Sequence, residues 1–348
     1  MDKLRQRDYM FDNLKAFLIV MVVFGHLMER FAGQQNFFWT TVYIFVYSFH
    51  MPLFVFVSGY FSKNAEKCRK NAFDGLFLVF ILANFCWKLF MGLVNKDLNV
   101  MTEIINIFQP GWTLWYILAL FWWRLLLKDL KRVRFIFIFV LVLGIAAILI
   151  PNGTGYMAVR RTISFLPFFL AGFYMTPQRV AKLRSIKGAC IIGAAVVAIV
   201  LVLCYANSRL ELIPYDTFYH DKSYLSFDGI DRYKMMIYNA VTYFAAFVMI
   251  AALLMATPGK RRWYTKIGYN TLPAYLGHSY IVYLFMLVTK GIGLFHNQYF
   301  YTAVSAVLAV LIVLFLSWEP VRTFFTDVIA GFQRLILRSD VQKEEGAL

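Results

Sequence analysis

Long apolar stretches alternate with short polar ones along the whole chain. Ten of them read as membrane-spanning helices: residues 12–31, 40–61, 73–95, 112–127, 134–150, 162–175, 187–205, 236–256, 270–289 and 300–318. At about 1.5 Å of rise per residue, roughly 20 residues cross a ~30 Å hydrocarbon core. The fourth and sixth stretches are short by that measure, and their boundaries are the least sharply marked. The pattern predicts an all-α integral membrane protein, a single membrane domain over residues 1–348. Connections are brief except for one of about 30 residues, from Asn207 to Met235. After the last span, residues 318–338 mix Phe324, Phe325, Val328, Ile329, Phe332 and Ile336 with Arg322, Arg334 and Arg338. This is the pattern of an amphipathic helix lying on the inner leaflet.

Composition supports the bilayer as solvent, with 61% hydrophobic and 19% aromatic residues. The net charge of +16 could point to nucleic acid, but its distribution argues otherwise. With the N-terminus cytoplasmic, 23 of the 35 Lys and Arg residues fall on the inner side, from Lys3, Arg5 and Arg7 through to Lys343. Eight fall outside and four within spans: Lys15, Arg30, Lys88 and Arg124. Every inner segment is basic, so ten crossings with both termini cytoplasmic satisfy the positive-inside rule, and no nucleic-acid partner is expected. The first apolar stretch runs into Glu29-Arg30 without a small-residue cleavage site and reads as an uncleaved span. Cys68, Cys86, Cys190 and Cys204 show neither metal-binding spacing nor a disulfide pattern, and no metal is expected. A homodimer is left open, because a lipid-facing and a dimer-forming apolar face read alike.

The polar residues inside the spans carry the chemistry. Lys15 and His26 are eleven positions apart, so they share one helix face, about 20° apart in angle and roughly 16 Å apart along the axis. Asp12 and Glu29 fall within about a turn of the same stripe. A charged side chain in hydrocarbon costs about 2.5–3.5 kcal/mol on insertion scales, which makes this stripe a candidate functional site. His26, His50 and His278 are all placed near mid-membrane. One such histidine is ordinarily satisfied by a neighbouring helix; three at one depth point to a shared polar cavity, with imidazole suited to proton transfer near neutral pH.

Pro52, two residues after His50, removes a backbone hydrogen bond and opens room beside His50 and Ser58. Of the aromatic run, Trp112, Trp122 and Trp123 read as an interfacial belt, whereas Trp115 and Tyr116 are candidates to stack on a sugar ring. Lys63, Lys67, Arg69 and Lys70 follow the His50 helix, and Arg124 and Lys128 end the fourth span. They are ordinary inner-side charge or a phosphate-binding rim. No phosphate loop, dinucleotide fingerprint, zinc motif or nucleophile elbow is present, which argues against ATP hydrolysis.

These residues together resemble the acyltransferase-3 family of membrane acyltransferases, in its fucose 4-O-acetylase-like branch. Asp12-Asn-Leu-Lys15 followed by His26 is similar to that family's opening Arg-x10-His motif, with Lys in place of the commoner Arg. His50-Met-Pro-Leu-Phe with Ser58-Gly59-Tyr60, Trp112-Thr-Leu-Trp115-Tyr116, Arg161 through Gly172, and Gly268 through His278 resemble its later segments in order. The resemblance implies an acyl-CoA co-substrate, usually acetyl-CoA, bound from the cytoplasmic side, and a carbohydrate hydroxyl as acceptor. No extracytoplasmic esterase-like domain is visible, so a lipid-linked or small glycan is the expected acceptor. The Lys at position 15 keeps the charge of the family Arg but lacks its planar fork.

The resulting expectation is O-acyl transfer in a mid-membrane cavity of a plasma-membrane protein. His26 is the general base, with Lys15 and Asp12 an ion pair below it. Lys63, Lys67, Arg69 and Arg124 hold the coenzyme A phosphates. His50, Trp115, Tyr116, Arg161, Tyr275 and His278 orient the acceptor or stabilise the oxyanion, in no order of rank. A transient acyl-histidine is the covalent variant. The rival reading is a multi-span transporter of a glycan or small polar substrate, which would also have a polar cavity and Pro-interrupted helices.

Overall fold

Helix α1 (Tyr9–Met28) is apolar around nearly its whole circumference and buried accordingly, as expected of a helix at the centre of a bundle. Asp8 caps it, its carboxylate accepting from the Met10 N–H at 3.0 Å. The computed structural model describes residues 8–31, 36–96, 106–151 and 155–337. Lys3, Arg5, Arg7, Arg338 and Lys343, which contributed to the charge map, lie outside the described residues.

The remaining helices pack on α1 or on one another. The second apolar stretch forms two helices, α2 (Phe37–Tyr47) and α3 (His50–Tyr60). The break falls at Ser48–Phe49, where the carbonyl of Ser48 would have needed the N–H that Pro52 lacks. Side chains take over the neighbouring carbonyls: Ser48 Oγ donates to Phe45 at 2.7 Å and His50 Nδ1 to Val46 at 2.8 Å. A short helix α4 (Ala65–Lys70) leads to α5 (Leu78–Asn95), then α6 (Trp115–Leu130), α7 (Ile136–Ala146) and α8 (Val159–Tyr174). The rest are α9 (Pro177–Arg184), α10 (Ala189–Leu210), α11 (Arg232–Ala256), α12 (Leu272–Thr289), α13 (Gln298–Leu316) and α14 (Glu319–Ile336).

The protein is an all-α membrane protein. Among the described residues, seven helical units are long and apolar enough to cross: Tyr9–Phe31, Phe37–Tyr60, Phe73–Asn95, Ala189–Leu210, Arg232–Ala256, Leu272–Thr289 and Gln298–Leu316. The other three expected spans are helical but short, with α6 and α8 at 16 residues each and the third running Ile136–Leu149. The outer faces of α7 and α10 expose Ile138, Phe139, Ile191, Val202 and Leu203, as lipid-facing helices do. Helix α14 has no buried residue; Phe324 and Leu335 are exposed, while Val321, Phe325 and Ile329 rest against the bundle. The connection expected from Asn207 to Met235 is shorter, because α10 continues to Leu210 and Asp231 caps α11 by accepting from the Tyr233 N–H.

Two glycine contacts set the packing beneath the site. A Cβ on Gly172 of α8 would come within 1.9 Å of the Phe56 carbonyl oxygen, and one on Gly59 of α3 within 1.9 Å of Phe169's. Only glycine permits this backbone crossing, the small-residue packing common between membrane helices. The 3-10 segment Trp263–Tyr269 packs on the start of α1 in the same way, with Gly268 against the Asp12 backbone. Asn13 secures that contact: its amide donates to the Pro258 and Lys260 carbonyls at 2.8 and 2.9 Å and accepts from Thr265 Oγ1 at 2.6 Å.

Candidate active site

His26 occupies the last turn of α1, and Glu29 follows one turn later in a 3-10 extension. Spacing of i to i+3 puts both on one face. His26 Nδ1 lies 2.9 Å from Glu29 Oε1. The same carboxylate accepts from the Tyr47 hydroxyl at 2.6 Å and, on Oε2, from Trp112 Nε1 at 2.9 Å. A carboxylate can only accept, so Nδ1 carries the imidazole proton and Nε2 is left with a lone pair. That is the tautomer a general base needs, held by a half-buried acid.

His26 and its neighbours line a small cavity, about 20 Å³, together with Tyr47, His50, Thr113, Trp115, Arg161 and Tyr275. The break before His50 brings its ring edge-on to Tyr47 at 4.6 Å between centroids. His278 stacks against His26 at 5.4 Å. Tyr275 donates its hydroxyl to the Thr113 carbonyl, and Tyr116 meets Ser58 Oγ at 2.5 Å and the Tyr275 ring at 5.4 Å. The expected members His26, His50, Trp115, Arg161 and Tyr275 thus face one space, with His278 and Tyr116 packed directly against its walls.

The roof comes from the 211–231 connection. Phe218 and Tyr219 line the cavity, and Arg161 lies over the rings of Tyr219 (4.5 Å) and Trp115 (5.1 Å) while pairing with Asp221 at 2.8 Å. Among the described residues lining the cavity, Arg161 is the one cation. Its neighbour Arg160 is turned away, donating to the carbonyls of Ile150 at 2.8 Å, Pro151 at 2.5 Å and Asp221. Outside the cavity, His220 sits in an aromatic nest of Phe165 and Tyr243, and burial pulls its pKa down to about 4.

A family profile described as an acyltransferase domain matches residues 8–319, nearly the full length of the fold described above. The chain belongs to the acyltransferase-3 family. It is similar to the nodulation protein NolL of Mesorhizobium japonicum, 27% identical over 184 residues that cover 48% of this chain and 47% of that protein. It is also similar to the NolL of Sinorhizobium fredii, 29% identical over 131 residues that cover 33% of this chain and 35% of that protein. The chain therefore spans about half the length or less of these curated relatives. No solved structure matches.

The other expected members of the site lie toward the start of α1. Asp12 and Lys15 pair at 3.0 Å, and Lys15 stands over the Phe61 ring at 5.4 Å. Lys63 spends its ammonium on the last carbonyls of α8: Gly172 at 2.9 Å, Met175 at 2.6 Å and Phe173. Arg69 pairs with Asp129 at 2.5 Å and Arg124 donates to Ser62 Oγ at 3.2 Å, while Lys67 is exposed.

Two corrections concern aromatics read as an interfacial belt. Trp112 is a hydrogen-bond donor to the half-buried Glu29, and Trp123 is fully buried, donating to the Thr162 carbonyl at 2.9 Å. In the sequence, Glu29 reads only as part of a stripe. The signal that could have found it was its i+3 spacing from His26.

Proposed function

We propose that this plasma-membrane protein moves an acetyl group from acetyl-CoA to a hydroxyl of a cell-surface carbohydrate or its lipid-linked precursor. The observation that carries the reading is His26, held by Glu29 in the basic tautomer and lining a cavity. The acceptor hydroxyl gives its proton to His26 Nε2 as its oxygen attacks the thioester carbonyl. The tetrahedral intermediate collapses with cleavage of the C–S bond, and the thiolate takes the proton back from His26. Arg161, the cation facing the cavity, is placed to stabilise the oxyanion or an anionic acceptor. Lys15, Lys67, Arg69 and Arg124, with Lys63 at the rim, form the basic end that would meet coenzyme A phosphates. The exposed Arg69–Asp129 pair is worth about 1 kcal/mol at most, so a phosphate can displace it at little cost.

The test is transfer from labelled acetyl-CoA to glycan acceptors by the purified full chain in lipid nanodiscs. His26→Ala is expected to abolish transfer while leaving the thermal unfolding profile close to wild type. Wild-type rates in a folded His26→Ala protein would remove His26 from the mechanism.

A further inference from the structure

All three membrane histidines of the site are fixed in the same tautomer. His26 Nδ1 faces the Glu29 carboxylate at 2.9 Å, His50 Nδ1 the Val46 carbonyl at 2.8 Å, and His278 Nδ1 the carbonyls of Tyr275 at 2.7 Å and Ala274 at 3.1 Å. Each of these oxygens only accepts, so each Nδ1 carries the proton and each Nε2 of a neutral ring presents a lone pair. His50 and His278 therefore have no N–H to offer an oxyanion. What they offer is a hydrogen-bond acceptor, and what they require is a donor.

For His278 that requirement is unmet. The residue is fully buried, and its Nε2 has no hydrogen-bond partner among the described residues. Buried acceptors without a donor are rare and costly in native proteins, and they call for an explanation. The location supplies one. The His278 ring stacks on His26 at 5.4 Å with 29° between planes and lies 5.9 Å from Tyr275, both of which line the cavity. The unmet acceptor sits beside the base.

We propose that His278 is a positioning residue that reads a second hydroxyl of the acceptor, adjacent to the one His26 deprotonates. This inference rests on the acyl-transfer reading above. The second hydroxyl donates to His278 Nε2 and keeps its proton throughout; only the first is acylated. His50, whose Nε2 has the same polarity, lines the cavity beside which His278 packs and favours a ligand rich in hydroxyls. The acceptor class is thus a polyol with neighbouring hydroxyls, as on a pyranose ring, rather than an isolated alcohol.

The experiment compares methyl glycosides carrying cis and trans vicinal diols with their monodeoxy counterparts, using labelled acetyl-CoA and the full chain in nanodiscs. The wild type should prefer the diol by about 10- to 100-fold in kcat/KM, with most of the difference in KM. In His278→Leu that preference should fall to near unity. In His278→Gln, whose side-chain oxygen again accepts, it should return in part; this second variant also controls for a packing defect in the first. A preference unchanged in His278→Leu overturns the proposal. So does a wild type that hydrolyses acetyl-CoA with water yet acetylates no diol. Absence of any thioester turnover instead overturns the acyl-transfer reading, and the role of His278 with it.

Discussion

Replacing Glu29 with Gln removes one charge and almost no volume, yet it should be among the most damaging changes to the site. Three donors converge on the two carboxylate oxygens: His26 Nδ1 and the Tyr47 hydroxyl on Oε1, and Trp112 Nε1 on Oε2. A Gln amide has one accepting oxygen. If it faces His26 and Tyr47, the amide N–H groups confront the Trp112 N–H. If it turns round, they confront His26, whose Nδ1 must then give up its proton and whose Nε2 becomes a donor. The second arrangement removes the base. Even with the right tautomer kept, the imidazolium formed during transfer loses its counter-charge. At a charge separation of about 4 Å and an effective dielectric of about 20, that interaction is on the order of 4 kcal/mol. Each ~1.4 kcal/mol is a factor of ten in rate, so Glu29→Gln should slow transfer about 10³-fold.

The assay is the initial rate of acetyl transfer at saturating acetyl-CoA, with thermal unfolding as a control for folding. Tyr47→Phe and Trp112→Phe each remove one donor and keep the charge, and each should cost about 5- to 30-fold. A folded Glu29→Gln protein that keeps more than about a tenth of the wild-type rate would refute the carboxylate–imidazole argument. So would an effect no larger than that of Trp112→Phe.

Two further predictions concern the scaffold. Gly172→Ala forces a methyl group to within 1.9 Å of the Phe56 carbonyl oxygen, so α3 and α8 must part, and about 1–3 kcal/mol or more of stability should be lost; a melting temperature in detergent equal to the wild type would show that the crossing is looser than drawn. His220 has a folded-state pKa of about 4 against an ordinary 6.5, because burial disfavours its charged form. The unfolded chain therefore binds the proton first, so the stability due to neutral His220 is complete above pH 6.5 and is lost as the pH falls toward 4, by about 3 kcal/mol. His220→Phe should flatten the acid side of the stability profile across that window, and an unchanged profile would assign the acid sensitivity to another group.

The parts of the site that a sequence can display are those set by spacing along one helix. Lys15, His26 and Asp12 are legible because eleven residues make three turns, and Pro52 is legible because its missing N–H must break the helix somewhere near Ser48. The role of Trp112 is hidden for a physical reason: an indole at the start of an apolar helix has the same local pattern whether it anchors in headgroups or reaches a carboxylate on another element. The roof was hidden likewise. Arg161 is legible as a candidate facing the acceptor, but its partner Asp221 and the flanking Tyr219 come from a connection whose path depends on tertiary packing. The tautomer of His278 is set by backbone carbonyls one turn away, and the lack of a donor for its Nε2 is a property of the assembled bundle.

The pairing of Glu29 with His26 also explains how a low-dielectric interior can hold a base at all. An isolated carboxylate there would be too costly to keep ionised; three converging donors offset part of that cost in the resting protein. The remainder is recovered when His26 accepts a proton, since the neutral imidazole beside an anion becomes an ion pair at the same 2.9 Å contact. The stabilisation is therefore greater in the transition state than in the ground state, which is the condition for an interaction to accelerate chemistry rather than merely bind substrate. The Asp12–Lys15 pair at the other end of α1 is already an ion pair at rest and gains nothing from proton transfer. On the proposed reading its contribution is to holding the donor, so a change at Lys15 should appear in KM for the thioester before it appears in kcat.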